Sequence, residues 1–242
     1  MILSDNDINR YGRNIALPEV GVAGQQRLMA STALVIGAGA LGSVVSVYLA
    51  AAGIGHLVIA DFDAVDISNL QRQVFYTAAS VGRSKVLALC RHISELNPAV
   101  RQTVVPDPVD SNNITDLLDG ADVVLECTDC AAVKHLVAPA SCRAHVPCVI
   151  GGVGGWRGQV MSLNGTEDTY TAVFGNTPVG ASAVSGGTGG VAGPVAGMVA
   201  SVQAAEAMKI LTGAGRPLYG RLLTIDALSG SVSTLDIDLQ HQ

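Results

Sequence analysis

Apolar positions along this chain come in short continuous runs separated by segments of helical period. "TALVIG" (32–37), "HLVIAD" (56–61), "RQTVVP" (101–106), "ADVVLEC" (121–127) and "PCVIGGV" (147–153) each read as a strand. Between them, "ALGSVVSVYLAAAG" ends a helix at Gly53, "SKVLALCRHISELNP" is an amphipathic helix stopped by Pro98, and "NNITDLLDG" and "AAVKHLVAPASCRAH" give two more. Before the first strand, Ser4 and "DND" look like an N-cap with an acidic first turn, opening a short helix into "INRYGRN"; "GVAGQQRLMAS" is a second. Strands and helices alternating in this way predict an α/β fold with a doubly wound, mainly parallel, Rossmann-like sheet.

The pattern changes near Trp156. "GQVMSL" alternates, a polar Gly/Thr/Ser region runs from Asn164 to about Gly190, and an Ala-rich helix follows over roughly 191–212. "RLLTIDALSGSVSTLDID" reads as a hairpin turning at Ser229-Gly230, so antiparallel strands are expected in the C-terminal third. Residues 28–60 and 169–205 lack Asp, Glu, Lys and Arg, a length that could span a membrane. Gly, Ser, Thr and Pro break both, and parallel strands covered on both faces are expected to be apolar throughout. The reading is therefore no membrane insertion.

Composition adds limits. Hydrophobic residues are 49% of 242, so a large core is easily built, and a net charge of −6 argues against a nucleic-acid surface. The five cysteines, scattered from Cys90 to Cys148, form no secreted disulfide framework, and "MILSDNDINRYGRN" does not read as a signal peptide. A reducing cytoplasm is the expectation.

The candidate chemistry starts at "GAGALG", which sets Gly37, Gly39 and Gly42 between a strand and a helix. Asp61 lies 19 residues beyond Gly42, at the end of the next strand. Such glycines let backbone approach a phosphate, the helix N-terminus favours its charge, and the carboxylate suits ribose hydroxyls. The loop alone does not separate a dinucleotide from ATP. An Arg and a Lys do: Arg72 within "SNLQRQ" and Lys85 within "GRSKV" suit a triphosphate, on whose oxygens charge develops, better than NAD. Taken singly, Lys85 reads as a solvated first-turn lysine and Arg72 as a surface residue. The Cys127-x-x-Cys130 of "VLECTDC" has the spacing of a redox dithiol or half a zinc site. One pair cannot complete a zinc site, and Cys127 at a strand end reads as a small packed residue.

The chain resembles the ThiF/MoeB/HesA family, bacterial relatives of ubiquitin-activating enzymes. The resemblance rests on "RYGRNIALPEVGVAGQQRL", "VIGAGALGS", "IADFDAVDISNLQRQVF", "VGRSKV", "ECTDC", "VPCVIGGVGGWRGQV" and "QAAEAMKILTG". It implies Mg²⁺- and ATP-dependent adenylation of the C-terminal glycine of a ubiquitin-like sulfur carrier protein ending in Gly-Gly, for thiamine- or molybdopterin-type cofactor synthesis. Alternatives are adenylation of a peptide C-terminus and, more remotely, an NAD-binding oxidoreductase. By the resemblance, Gly37, Gly39 and Gly42 form the nucleotide loop and Asp61 holds ribose. Asn69, Arg72 and Lys85 contact phosphates, Asp63 and Gln73 join the nucleotide set, and Asp129 positions magnesium. Arg13 reaches into the site of the other subunit of a homodimer. The implied layout is one adenylating domain over 1–242: N-terminal helices and dimer arm (1–30), nucleotide core (31–155), carrier-binding and crossover portion (156–242).

The chain departs from the family at two places. The zinc-ligand positions of many members are occupied by Thr169 and Ala172, and no second Cys pair follows, so no zinc site is expected. No Cys occurs after Cys148, so the family's reactive cysteine in the crossover loop (176–190) is missing and a separate sulfur donor is implied. The glycine-rich loop itself suits either a lid or flexible filler. His135 and His145 read as solvent or packing residues, and Cys130, where relatives usually have Asn, as a thiol of open reactivity.

Overall fold

The computed structural model describes residues 2–175 and 189–238. Eight strands form one sheet in the order β3-β2-β1-β4-β5-β6-β7-β8. β1 (Thr32–Ile36), β2 (His56–Ala60), β3 (Arg101–Val105), β4 (Val123–Glu126) and β5 (Cys148–Gly154) run parallel. β6 (Arg157–Leu163), β7 (Arg221–Asp226) and β8 (Ser231–Asp236) continue it antiparallel. The doubly wound sheet with added antiparallel strands is the architecture read from the sequence.

The helices cover both faces. Strand side chains alternate, so Ala33 and Val35 of β1, with Val123 and Leu125 of β4, face one layer. That layer holds α2 (Gly21–Ala30), α3 (Gly42–Ala52), α4 (Lys85–Leu96) and α8 (Gly193–Thr212). Leu34, Ile36 and Val124 face the other, under α5 (Ile114–Leu118), α6 (Ala131–Arg143) and α7 (Thr169–Phe174). Burying each such Leu, Ile or Val contributes about 1.5–3 kcal/mol, which accounts for the near-continuous apolar strands.

α1 (Asp5–Ile15) opens with a capping box between Ser4 and Asp7. It is pinned by buried Tyr11, whose hydroxyl accepts a hydrogen bond from the Asn97 side chain (2.9 Å). Two elements differ from expectation. The long C-terminal helix starts at Gly193, after Val191 bridges to Gly155 instead of entering the helix. The polar region after Asn164 contains α7: Asp168 caps it, accepting from the Thr171 N–H, and Tyr170 and Phe174, one turn apart, pack their rings 4.8 Å apart. The local cap and ring pair outweigh the polar composition around them. The crossover loop 176–190 lies outside the described residues apart from Gly189 and Gly190.

Candidate active site

In an open parallel sheet, ligands bind beyond the carboxyl ends of the strands where the strand order reverses. Here that point lies between β1 and β4, and a cavity of about 1210 Å³ opens there. Gly37 and Gly39 line it from the end of β1, Asp61 and Asp63 from β2, and Cys127 to Cys130 from β4. Asn69, Arg72, Gln73 and Lys85 line it from the segment after β2 and the start of α4.

The glycine loop is built by contact. Gly37 has φ +92°, a left-handed backbone, and a Cβ there would press on Cys127 and Thr128 at 3.1 Å. Gly42 does not line the cavity. A Cβ on it would lie 1.7 Å from the Gly37 carbonyl oxygen, so it is the contact that lets α3 close on the end of β1. The loop is also held through Ala38, whose N–H donates to Asp61 (2.6 Å) and whose carbonyl accepts from the Tyr76 hydroxyl (2.6 Å). Burial pushes the Asp61 carboxyl up, against the Ala38 and Asp63 N–H groups that bind its charged form.

The cations are anchored differently from a surface reading. Lys85 is 6% exposed, not solvated, and its ammonium pairs with Asp63 at 2.7 Å. Arg72 is half-buried and donates to the Ser68 carbonyl at 3.1 Å. Asn69 accepts from the Asp66 N–H and closes the 3₁₀ turn that carries this segment. Gln73 is buried at the cavity wall, its Oε1 without a hydrogen-bond partner among the described residues. Its Nε2 lies on the side of Gly39, 3.5 Å from where a Cβ there would sit, and presents a donor to that space.

Asp129 is exposed in the turn between β4 and α6, and its carboxylate has no hydrogen bond among the described residues. A hard cation such as Mg²⁺ takes oxygen ligands and is commonly held by one or two carboxylates plus substrate phosphates. A free carboxylate facing a glycine loop across the cavity fits that donor set. Among the described residues no group of three or more His, Cys, Asp or Glu side chains gathers into an all-protein cage.

Arg13 is not brought to this cavity. It follows buried Tyr11 by two residues, about 200° round the helix at ~100° per residue, and is exposed on the far side of α1. The Cys-x-x-Cys resolves into two unlike thiols. Both border the cavity, but Cys127 is buried against Gln203 (3.8 Å), where burial pushes its thiol far up, whereas Cys130 is partly exposed. His135 is a packing residue, 2.8 Å from both the Ala131 and Gly175 carbonyls and edge-on to Tyr170.

Sequence reasoning missed a buried cluster under the site. Glu126 is fully buried at the end of β4 and pairs with Lys134 of α6. Its carboxylate also accepts from the Thr128 N–H (3.0 Å) and hydroxyl. The signal was present: a Glu closing an all-apolar strand needs a buried counter-ion.

The chain matches the ThiF family over residues 11–242. It is 37% identical over 237 residues to the sulfur carrier protein adenylyltransferase of Thermus thermophilus, covering 96% of this chain and 88% of that protein. This chain belongs to the ThiF family. Another relative is the probable adenylyltransferase/sulfurtransferase MoeZ of Mycobacterium tuberculosis, 40% identical over 240 residues, covering 97% of this ThiF-family chain and 61% of MoeZ. The chain spans 61% or less of the length of several curated relatives it matches. The structure of the microcin C7 biosynthetic enzyme MccB in complex with N-formylated MccA superposes with TM-score 0.80 at 22% identity, covering 98% of this chain and 74% of that one. At that identity the likeness establishes the ThiF-type fold alone.

Proposed function

We propose that this ThiF-family protein uses Mg-ATP to adenylate the C-terminal carboxylate of a ubiquitin-like carrier protein ending in Gly-Gly. The observation that carries the reading is the gathering of Gly37, Gly39, Asp61, Arg72, Lys85 and Asp129 around one cavity, together with glycines on its other wall. Gly152 and Gly154 of β5 and Gly189 and Gly190 flank that wall, where an extended tail without side chains fits. The names of the Thermus and Mycobacterium relatives support the same class of reaction.

The chemistry asks little of general acids or bases. A carboxylate is already ionised near neutral pH, attacks the α-phosphorus, and pyrophosphate leaves. The chain's work is then positioning and neutralisation of phosphoryl charge. Arg72 and Lys85 supply that neutralisation, Asp61 orients the ribose, and Asp129 holds Mg²⁺, which when bound shields charge on the phosphates. Arg13, exposed and outside its own cavity, serves the neighbouring site in a homodimer. The crossover segment 176–190 carries no Cys, so the sulfur donor of this reading lies outside that segment.

Pyrophosphate–ATP exchange in the presence of candidate carriers tests the reading. Exchange that requires the Gly-Gly terminus is expected, and Asp129→Ala should abolish it while changing stability by no more than about 0.5 kcal/mol. Exchange with no carrier, together with tight NAD binding, overturns it. Exchange driven by short peptides but not by carriers would establish the second reading, a peptide C-terminus as the acceptor of adenylate.

A further inference from the structure

The turn that presents Asp129 is fastened by a charge buried beneath it. Lys134 is 9% exposed, and its ammonium donates to the Glu126 carboxylate, the Thr128 carbonyl (2.7 Å) and the Gly151 carbonyl (2.8 Å). An ammonium has three protons, and all three are spent on protein acceptors, so none remains for a ligand. The Thr128 carbonyl belongs to the peptide bond leading into Asp129, and its own N–H and hydroxyl both bind Glu126. Gly151 is the residue of β5 just before the glycine wall of the cavity.

From this geometry we infer that Lys134 is a positioning residue: its ammonium fixes the peptide plane that aims Asp129 and ties that turn to β5. The inference rests on the metal role proposed for Asp129. A buried ion pair is costly to desolvate and apolar side chains of the same size often replace one without loss, so stability alone is weak grounds for the pair. Its placement supplies the reason. The Asp129 carboxylate has no hydrogen bond of its own among the described residues, and only the backbone beneath it sets its direction. One cation therefore registers the phosphate side of the site against the strand where an acyl tail would lie.

The test uses the full chain and ATP, with binding measured by calorimetry without metal and across a Mg²⁺ titration. Metal-free ATP affinity should stay within about twofold in Lys134→Met, because Arg72, Lys85 and the glycine loop are untouched. The gain in affinity that Mg²⁺ brings should fall by about tenfold, as for other groups that orient a metal ligand. Asp129→Ala should lose that gain, and Asp129→Ala/Lys134→Met should be no worse than Asp129→Ala alone. In the metal-free protein, amides 128–131 should exchange hydrogen faster in Lys134→Met. If that variant does not fold, Glu126→Gln/Lys134→Met, which leaves no unpaired buried charge, carries the same expectations. An intact Mg²⁺ gain in the Lys134 variants, or additive losses in the double variant, overturns the positioning role and leaves the Asp129 reading standing. An intact gain in Asp129→Ala, or no ATP binding by the unaltered protein, overturns both.

Discussion

Two glycines of one loop should fail in different ways when each becomes alanine. At Gly42 the new Cβ would sit 1.7 Å from the Gly37 carbonyl oxygen and 2.8 Å from its carbon, about half and four fifths of an ordinary contact. Both obstacles are backbone, so either α3 or the end of β1 must move by more than an ångström. Overpacking of this kind costs about 1–3 kcal/mol or more, and in a chain of this length each kcal/mol lowers the melting temperature by about 2–4 °C. Gly42→Ala should therefore melt about 5–10 °C lower, on the same scaling. At Gly39 the Cβ would meet only the Gln73 side-chain nitrogen at 3.5 Å, an ordinary separation, so Gly39→Ala should melt like the parent. It should instead bind ATP about tenfold or more weakly, since a methyl would stand where a phosphate approaches backbone. Thermal unfolding and calorimetric titration with Mg-ATP, run side by side, separate the two. An unchanged melting temperature for Gly42→Ala refutes the close packing of α3 on the loop. Unchanged ATP affinity for Gly39→Ala refutes the loop as the phosphate cradle.

Lys85→Ala should slow pyrophosphate exchange by about a hundredfold, the usual order for one lost charge-stabilising donor. Its stability should drop by about 1 kcal/mol or less, because Asp63 is half exposed and hydrates when its partner is gone; a large fall in melting temperature with normal exchange contradicts this. Alkylation reports the fate of the cysteine pair. Attack needs the thiolate, so Cys127, held protonated by burial, should stay unmodified at about pH 8 while Cys130 reacts and Mg-ATP slows it; mass-spectrometric detection of the reverse order refutes the placement. Cys90, which burial pushes up to about 11, should react more slowly than Cys130. Gln73→Glu should weaken ATP binding by about tenfold by placing a like charge beside the phosphates, and equal affinity in a titration would remove Gln73 from the nucleotide set.

Strand positions and the loop glycines were legible because both follow local rules. A continuous apolar run flanked by Gly or Asp marks the buried strands β1, β2, β4 and β5, whereas β3, an edge strand, is partly exposed; each of the five lies within two residues of its sequence boundaries. Lys85 shows where such rules stop. Its position at the start of a helix suggests a solvated side chain, and only the Asp63 carboxylate across the β2 loop explains its burial. Arg13 is the complementary case, since the family resemblance alone gives it a role and one chain's packing turns it away from its own cavity. The Glu126–Lys134 pair stayed hidden for a related reason: eight residues and a change of element separate the partners, and "VKHLVA" is indistinguishable by period from an ordinary helix face. Apparent chemistry misled in the opposite direction, as Cys127 and Cys130 share a motif but not an environment.

The way the sheet changes direction gives the proposed acyl substrate a place beside the proposed nucleotide site. β5 pairs with β4 only as far as Ile150 opposite Glu126, the last residue of β4. Its remaining residues, Gly151 to Gly154, pair with β6 alone and stand beyond the carboxyl end of the parallel strands. A sheet of parallel strands only would stop at that level and leave the phosphate end of the cavity open to water. The antiparallel return through β6 raises a wall there, lined by Gly152, Gly154 and Gly158 together with Val153, Arg157 and Gln159. Side chains added to that wall should hurt the acyl substrate before the nucleotide. A methyl on Gly154 would meet open space, so its cost would fall on whatever passes, whereas one on Gly151 would collide with the Gln203 amide already packed there. In the proposed adenylation the parallel half of the sheet would serve ATP and the antiparallel half the tail, and β5, tied to the Asp129 turn through Lys134, is the strand the two halves share.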